Sequence, residues 1–236
     1  MNSLNVTFGP NGTLSLSAKA SQKEIDAFFY TMTKAQKEAR KVDPDPTSAG
    51  YFTAMTQELR NLGWSGTHVT PFEYRAGSKP VSPLSALVKA YVGFVQDGIP
   101  TVRIDTGLIE RSLASACDAL LRAPSSVTDM LDRWWGRTDI KADARVMTVG
   151  PLIDLVGIPV VAAGQCALTI NADSWRALIT PSSDFYLRVA PSVMSLNWMT
   201  YWRIEKALKR ELEADLAWHL ETTRLDLQGD ALEAVQ

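Results

Sequence analysis

The chain opens with two short segments in which apolar and polar side chains alternate. Residues 4–8 and 13–18 show this alternation, and a Gly-Pro-Asn-Gly segment at 9–12 separates them. Alternating segments joined by a four-residue connection that contains glycine are typical of two paired strands. The sequence therefore predicts an N-terminal β-hairpin.

Apolar residues then recur every three or four positions in several segments, which predicts amphipathic helices. The first helix begins after Ser21, because Ser21 and Glu24 form a capping-box pattern whose side chains bond otherwise free backbone N–H groups. It ends before Pro44, since proline lacks a backbone N–H and restricts the residue that precedes it. Further helices are predicted over residues 48–62, 83–98, 106–122 and 126–136.

The later part of the chain changes to short segments rich in Val, Ile, Leu and Ala, separated by Gly, Pro, Asn or Ser. This pattern predicts strands of a sheet. The segments are residues 145–149, 152–156, 159–163, 166–170 and 184–189. A long amphipathic helix is predicted from Pro191 to about Arg224, with a frayed tail over residues 228–236.

The order of these elements favours an α+β fold. The helices are grouped, whereas a doubly wound parallel sheet needs a helix between successive strands. We therefore expect a single α+β domain over residues 1–236. In it, the hairpin and the amphipathic helices pack on a mainly antiparallel sheet, with the long helix at the C-terminal end.

Composition narrows the function classes. Apolar residues make up 46% of the chain and charged residues 21%, which is typical of a globular protein. The net charge of -2, with scattered basic residues, argues against nucleic acid as a partner. Two cysteines and two histidines give no zinc-binding spacing. No phosphate-binding glycine loop or nucleophile elbow is present either, so we expect no cofactor, no metal and no catalytic residues.

The first residues do not form the basic start and apolar run of a signal peptide. The most apolar stretch, residues 146–170, is interrupted by Asp, Gly, Pro and Gln residues and does not predict a membrane-spanning helix. We therefore expect a soluble protein that is made in the cytoplasm, with any release following a route that needs no signal peptide.

The seven tryptophans include four candidates for a binding surface. Trp134 and Trp135 are adjacent and cannot share one helix face, whereas Trp198 and Trp202 lie four residues apart and share one. Exposed indoles favour contacts with proteins, with sugars or with a membrane interface. Packing of these indoles into the core or into a seam between elements is the alternative interpretation.

Asp154 is the one charged residue in the apolar stretch. A buried carboxylate needs a partner, because an unpaired charge in an apolar interior is unfavourable. If Asp154 lines a cavity, it becomes the candidate acid of a pocket that also contains His68, Tyr186 and Arg188. A position on the solvent side of a strand is the other interpretation.

One local segment, Asp132-Arg-Trp-Trp-Gly136, leads directly into the apolar strands. Over residues 4–189 the order of elements resembles that of the Cyt-type cytolytic toxins. The resemblance implies a single domain whose helices move to let strands enter a membrane. The long last helix departs from that pattern, and the resemblance carries over no residue roles.

Two classes of function follow. The first is a non-enzymatic interaction protein that acts through an apolar, Trp-rich surface. It would be a membrane-active, pore-forming toxin or a self-assembling subunit, with a protein partner or a second copy of itself as its partner. The second is a small-molecule-binding protein or enzyme with a pocket between helices and sheet. The absence of any catalytic spacing favours the first class.

Overall fold

The computed structural model describes residues 5–9, 13–17, 21–45, 48–68, 72–75, 78–98, 144–155, 158–170 and 175–220, with isolated positions between 107 and 125. The fold is α+β. The strands are β1 (Asn5–Gly9), β2 (Thr13–Ser17), β3 (Trp64–His68), β4 (Phe72–Arg75), β5 (Ala144–Leu155), β6 (Ile158–Ile170) and β7 (Phe185–Leu196). The helices are α1 (Gln22–Val42), α2 (Ala49–Asn61), α3 (Pro83–Gly98) and α4 (Trp198–Leu220), and a 3-10 turn covers Trp175–Leu178. The helix predicted over residues 126–136 and the predicted tail lie outside the described residues.

The seven described strands form one sheet that is mainly antiparallel, as predicted. Its centre is the antiparallel meander β5-β6-β7, with Met147 opposite Cys166 and Gln165 opposite Ala190. The predicted hairpin β1–β2 is present, and β2 joins the edge of β5 in the parallel direction. Both β3 and β4 pair antiparallel with β7, so the strand order is β1-β2-β5-β6-β7-β3 with β4 also on β7.

The strands of the meander are longer than the sequence pattern predicts. Five short strands were expected, but β5, β6 and β7 are continuous over 12, 13 and 12 residues. The prediction was wrong because glycine and proline between the predicted short segments were interpreted as the ends of strands. Pro151 removes one ladder donor without ending β5, and pairing with β6 resumes at Leu152. Pro191 also stays within β7, so the last helix begins at Trp198 rather than at Pro191.

Helix α1 begins as the capping box predicts. The Ser21 side chain accepts from the Glu24 backbone N–H, and the Glu24 carboxylate accepts from the Ser21 backbone N–H at 2.5 Å. The helix ends at Val42. At the next residue, Asp43, the backbone is extended, and Pro44 follows. These local contacts fix both ends of α1 and therefore the direction in which its apolar face points.

The main core lies between α1, α2, α4 and one end of the sheet. It includes side chains from α1 and α2, together with Trp64 of β3 and Met194 and Leu196 of β7. Helix α4 contributes Tyr201, Leu208 and Leu212, which recur at seven- and four-residue spacing along one face. The packing of α1 and α4 against this core places their N-terminal ends close together.

A second set of buried side chains lies on the opposite face of the sheet. Leu187 is buried seven residues before Met194 on the same strand, so the two side chains point to opposite faces. Helix α3 contacts β6, β7 and the 3-10 turn. The remaining buried residues of these elements include Leu84, Leu87, Leu178, Ile179 and Phe185. Buried side chains therefore lie on both faces of β7, with α1, α2 and α4 on one side and α3 on the other.

Gly63 sets the position of the start of α4. Its φ of 99° lies in the left-handed region that favours glycine, and its carbonyl accepts from the Asn197 N–H at 2.8 Å. A Cβ at this position would lie 3.1 Å from the Thr200 Cβ. Because Gly63 has no side chain, the first turn of α4 packs directly against the backbone between α2 and β3.

Candidate functional site

The first two turns of α4 carry large apolar side chains that face water. Met199 is 60% exposed and Trp202 is 49% exposed, while Trp198 is partly buried against the core. Helical geometry explains the exposure of Trp202. Successive residues point about 100° apart, so Trp202 turns away from the core when its neighbour Tyr201 points into it.

The indoles of Trp198 and Trp202 stack on each other. Their ring centroids are 6.2 Å apart, with an angle of 30° between the planes. Trp198 also contacts the buried Tyr201 ring edge to face, at a centroid distance of 5.7 Å. Trp198 is therefore anchored on the core, and it supports Trp202 from the inner side. Stacking of this kind favours a fixed ring orientation over free rotation.

Helix α1 adds a cation to the indole pair. The Lys23 Nζ lies 4.8 Å from the Trp202 ring centroid and 5.4 Å from the Trp198 ring centroid. Both distances are within the range of a cation–π interaction. We call the surface formed by Lys23, Trp198, Met199 and Trp202 the indole face. It combines exposed apolar area with one positive charge held on aromatic rings.

Further along, α1 and α4 are joined by two more lysines. Lys34 of α1 donates to Glu38 at 2.7 Å and to Glu211 of α4 at 2.5 Å. Lys209 of α4 lies 5.6 Å from the ring centroid of Tyr30 on α1 and pairs with Glu205 at 2.9 Å. Together with Lys23, these contacts form a row of lysines along the line where the two helices meet, which we call the lysine seam.

Contacts within the lysine seam shift the pKa values of Lys34 and Glu38. Desolvation on its own lowers the pKa of Lys34. The hydrogen bonds to Glu211 and Glu38, together with the negative charges of these two residues, outweigh it, so the net pKa is raised. The hydrogen bond from Lys34, followed by the one from Lys41, lowers the pKa of Glu38 below its ordinary value. Both shifts favour the charged forms near neutral pH. The charged Lys34 pairs with Glu211 across to α4, whereas its contact with Glu38 lies within α1.

Acid is expected to weaken the lysine seam. A carboxylate with a lowered pKa stabilises the fold above its ordinary pKa of 4.5, and that stabilisation is lost as the pH falls through the lowered value. Between pH 7 and pH 3, we expect the wild type to lose about 0.5–1 kcal/mol more stability than Lys34→Met, as measured by urea unfolding. Lys79→Met, at an exposed position before α3, should keep the wild-type pH dependence. Identical pH profiles for Lys34→Met and the wild type would contradict this expectation.

The structure brings together one of the two predicted tryptophan pairs. Trp198 and Trp202 meet on α4, whereas Trp134 and Trp135 lie outside the described residues. Asp154 lies in β5, in register with Pro159 of β6, and its role as a pocket acid stays a prediction. The other predicted pocket residues fall on two neighbouring strands. His68 lies on β3, opposite Ser192, and both Tyr186 and Arg188 lie on β7.

The sequence patterns did not indicate the part that Lys23 plays. Lys23 lies inside the capping-box segment, where Ser21 and Glu24 already account for the pattern. The rings that Lys23 contacts belong to α4, far along the chain.

The described part of the chain contains no group of three His, Cys, Asp or Glu residues placed to hold a metal ion. Among the helices in the described ranges, none is both long enough and apolar enough to cross a membrane.

Comparison with known proteins finds distant structural likenesses. No protein-family model and no curated protein matches the chain. A solved delta-endotoxin has a TM-score of 0.40 and 11% identity, over 79% of this chain and 83% of that one. The activated Cyt2Ba monomer from Bacillus thuringiensis subsp. israelensis has a TM-score of 0.38 and 9% identity, over 80% and 97%. The Evf virulence factor has a TM-score of 0.34 and 9% identity, over 91% and 82%. All three likenesses have TM-scores of 0.40 or below and identities of 11% or below.

Proposed function

We propose that this protein acts on lipid membranes as a pore-forming protein that first binds the bilayer through the indole face. The observation that carries the proposal is the stacked indole pair, of which Trp202 remains half exposed to water. Tryptophan has an apolar ring system and a polar N–H, and it concentrates where hydrocarbon meets water. Met199 extends the apolar area next to the rings, and Lys23 adds a positive charge.

The meander β5-β6-β7 is the segment proposed to enter the membrane. A tilted strand needs about 9–11 residues to cross the hydrocarbon layer. The three strands have 12, 13 and 12 residues, so each is long enough. Helices pack on both faces of β7, and they must separate from the meander before its strands reach lipid. The described part of one copy supplies three such strands, so we expect the inserted form to be a homo-oligomer. Synthesis in the cytoplasm and release without a signal peptide belong to the same proposal.

Dye-loaded vesicles test this function. We expect the purified protein to float with vesicles and to release dye in a concentration-dependent way, because both binding and self-association are required. Trp202→Ala should bind vesicles about 10-fold more weakly, since burying the exposed part of an indole in the interface contributes about 1.4 kcal/mol. Leu121→Ala is the matched control, because Leu121 is also 49% exposed but lies outside the indole face. Leu121→Ala should bind like the wild type.

The choice of lipids separates the outcomes. Vesicles of anionic and of zwitterionic lipid are compared at two protein concentrations. If neither kind is bound, the membrane proposal is wrong. The mass of the protein in solution is then the next measurement, because a stable oligomer would indicate that the indole face binds a second copy.

A further inference from the structure

The indole face already holds a cation. The Lys23 Nζ lies beside the stack of two indoles and within reach of both ring centroids, at 4.8 and 5.4 Å. The Lys23 side chain is exposed, and the contact joins two helices rather than neighbouring residues of one helix. The two rings therefore present a site for positive charge that the protein fills with its own side chain.

A primary ammonium is not the cation that suits such a site best. It is compact and strongly hydrated, so it gives up hydrogen bonds to water when it approaches an aromatic face. A trimethylammonium group spreads its charge over methyl groups and loses less hydration. Recognition of quaternary ammonium by aromatic side chains is the functional use of this interaction. A choline group should therefore displace Lys23 from the rings.

We propose that the indole face binds the phosphocholine headgroup of a phospholipid. The trimethylammonium group takes the place of the Lys23 Nζ on Trp198 and Trp202. Lys23, with its flexible four-carbon stem, then pairs with the phosphate of the same headgroup. The headgroup has one positive and one negative charge, and the indole face offers a π surface for the first and an ammonium for the second. This inference rests on the proposed membrane function and names the lipid that the indole face selects.

The exposed apolar neighbours fit a headgroup at the surface of a bilayer better than a free ligand. Met199 is 60% exposed beside the rings, and Trp202 is 49% exposed. When choline sits on the rings, this apolar area lies at the level of the glycerol and upper acyl chains, where apolar surface is removed from water. A free choline compound would leave Met199 in water. The membrane-bound headgroup is therefore the occupant to which the inference commits.

A comparison of two zwitterionic lipids tests the inference. Vesicles contain equal parts of phosphatidylglycerol and of either phosphatidylcholine or phosphatidylethanolamine, so that the net charge is equal and only the methyl groups differ. We expect binding to the choline vesicles to be about 5–10-fold tighter, as two partly exposed cation–π contacts imply. The preference should vanish in Trp202→Ala and persist in Lys79→Met. Equal affinity of the wild type for the two vesicles overturns the inference.

Water-soluble ligands test the role of Lys23 without a membrane. The indole N–H resonances are followed by NMR while phosphocholine or tetramethylammonium is added, and Trp198→Phe and Trp202→Phe assign the signals. Lys23→Met should bind tetramethylammonium more tightly than the wild type does, because the internal competitor is gone. The same variant should lose the preference of the wild type for phosphocholine over tetramethylammonium, because the partner of the phosphate is gone. Unchanged affinities in Lys23→Met overturn the inference.

The two experiments separate failure of the headgroup site from failure of the membrane function. If the protein releases dye from vesicles but shows no choline preference and no shifts of the Trp198 and Trp202 signals, the headgroup site is wrong and the membrane function is still supported. Shifts of these signals in a protein that binds no vesicle would support a phosphocholine site and contradict the membrane function.

Discussion

Replacing Trp64 with alanine is expected to lower the free energy of unfolding by about 3–5 kcal/mol, the range for losing a large buried aromatic ring. Trp64 is only 2% exposed and lies in the main core between α1, α2 and the end of β7. Its indole N–H donates to the Thr31 Oγ1 at 2.9 Å. The Thr31 hydroxyl in turn donates to the Ala27 carbonyl at 2.7 Å. Removal of the ring thus leaves a cavity and takes away the donor that satisfies the Thr31 oxygen.

Urea unfolding of Trp64→Ala and Trp64→Phe separates these two contributions. Trp64→Phe keeps most of the ring volume but removes the indole N–H, so it should lose less stability than Trp64→Ala. Thr31→Val is the complementary variant, because it keeps the indole and leaves its N–H without an acceptor, at a cost of about 1–3 kcal/mol. A loss below about 1 kcal/mol for Trp64→Ala would show that this part of the core does not hold the fold together.

Tyr201→Phe is expected to stabilise the protein, by up to about 2 kcal/mol. The Tyr201 side chain is fully buried, and its Oη has no hydrogen-bond partner among the described residues. Burial raises the pKa of this phenol far above its ordinary value, and the charge of Glu205 raises it further. An unsatisfied buried hydroxyl is unfavourable, because it loses its hydrogen bonds to water and gains none. Phenylalanine keeps the ring that contacts Trp198 and removes the hydroxyl.

Tyr51→Phe is the matched control, with the opposite expected sign. Tyr51 is buried like Tyr201, and burial raises its pKa to about 12, but its hydroxyl has a hydrogen bond with Arg40. Loss of this bond should destabilise the protein by about 1 kcal/mol. Urea unfolding of both variants at neutral pH gives the comparison. Destabilisation of similar size in both would mean that the Tyr201 hydroxyl has a partner in solution.

The features that could be predicted from the sequence are those set by near neighbours along the chain. The capping box at Ser21 and Glu24 and the proline at position 44 mark the ends of α1, because the groups that decide them lie within a few residues. The shared face of Trp198 and Trp202 follows from their four-residue spacing. The hairpin and the α+β class follow from alternation and from the order of elements, and the structure bears both out.

The features that could not be predicted depend on contacts between distant segments. Nothing near Lys23 indicates that its ammonium rests on rings of the last helix, and nothing near Lys34 indicates its pairing with Glu211. The continuity of β5 and β7 through Pro151 and Pro191 also has a non-local cause. Each proline lacks the N–H that would donate to the ladder. Pro151 is nevertheless in register with Leu16 of β2 and Pro191 with Gly164 of β6, and this pairing keeps the chain extended there. A prediction from neighbouring residues alone places the ends of strands at these prolines.

The order of strands in the sheet has a consequence for how a newly made chain folds. β2 pairs with β5, and both β3 and β4 pair with β7, so the outer strands come from the beginning of the chain and the central ones from its later part. At a synthesis rate of 5–20 residues per second, the N-terminal hairpin waits on the order of 10 s for its partner strand to leave the ribosome. Sequence-distant pairings of this kind slow folding. During translation the strand edges of the hairpin stay open, so the nascent chain is expected to depend on chaperones while α1 and α2 are already able to pair.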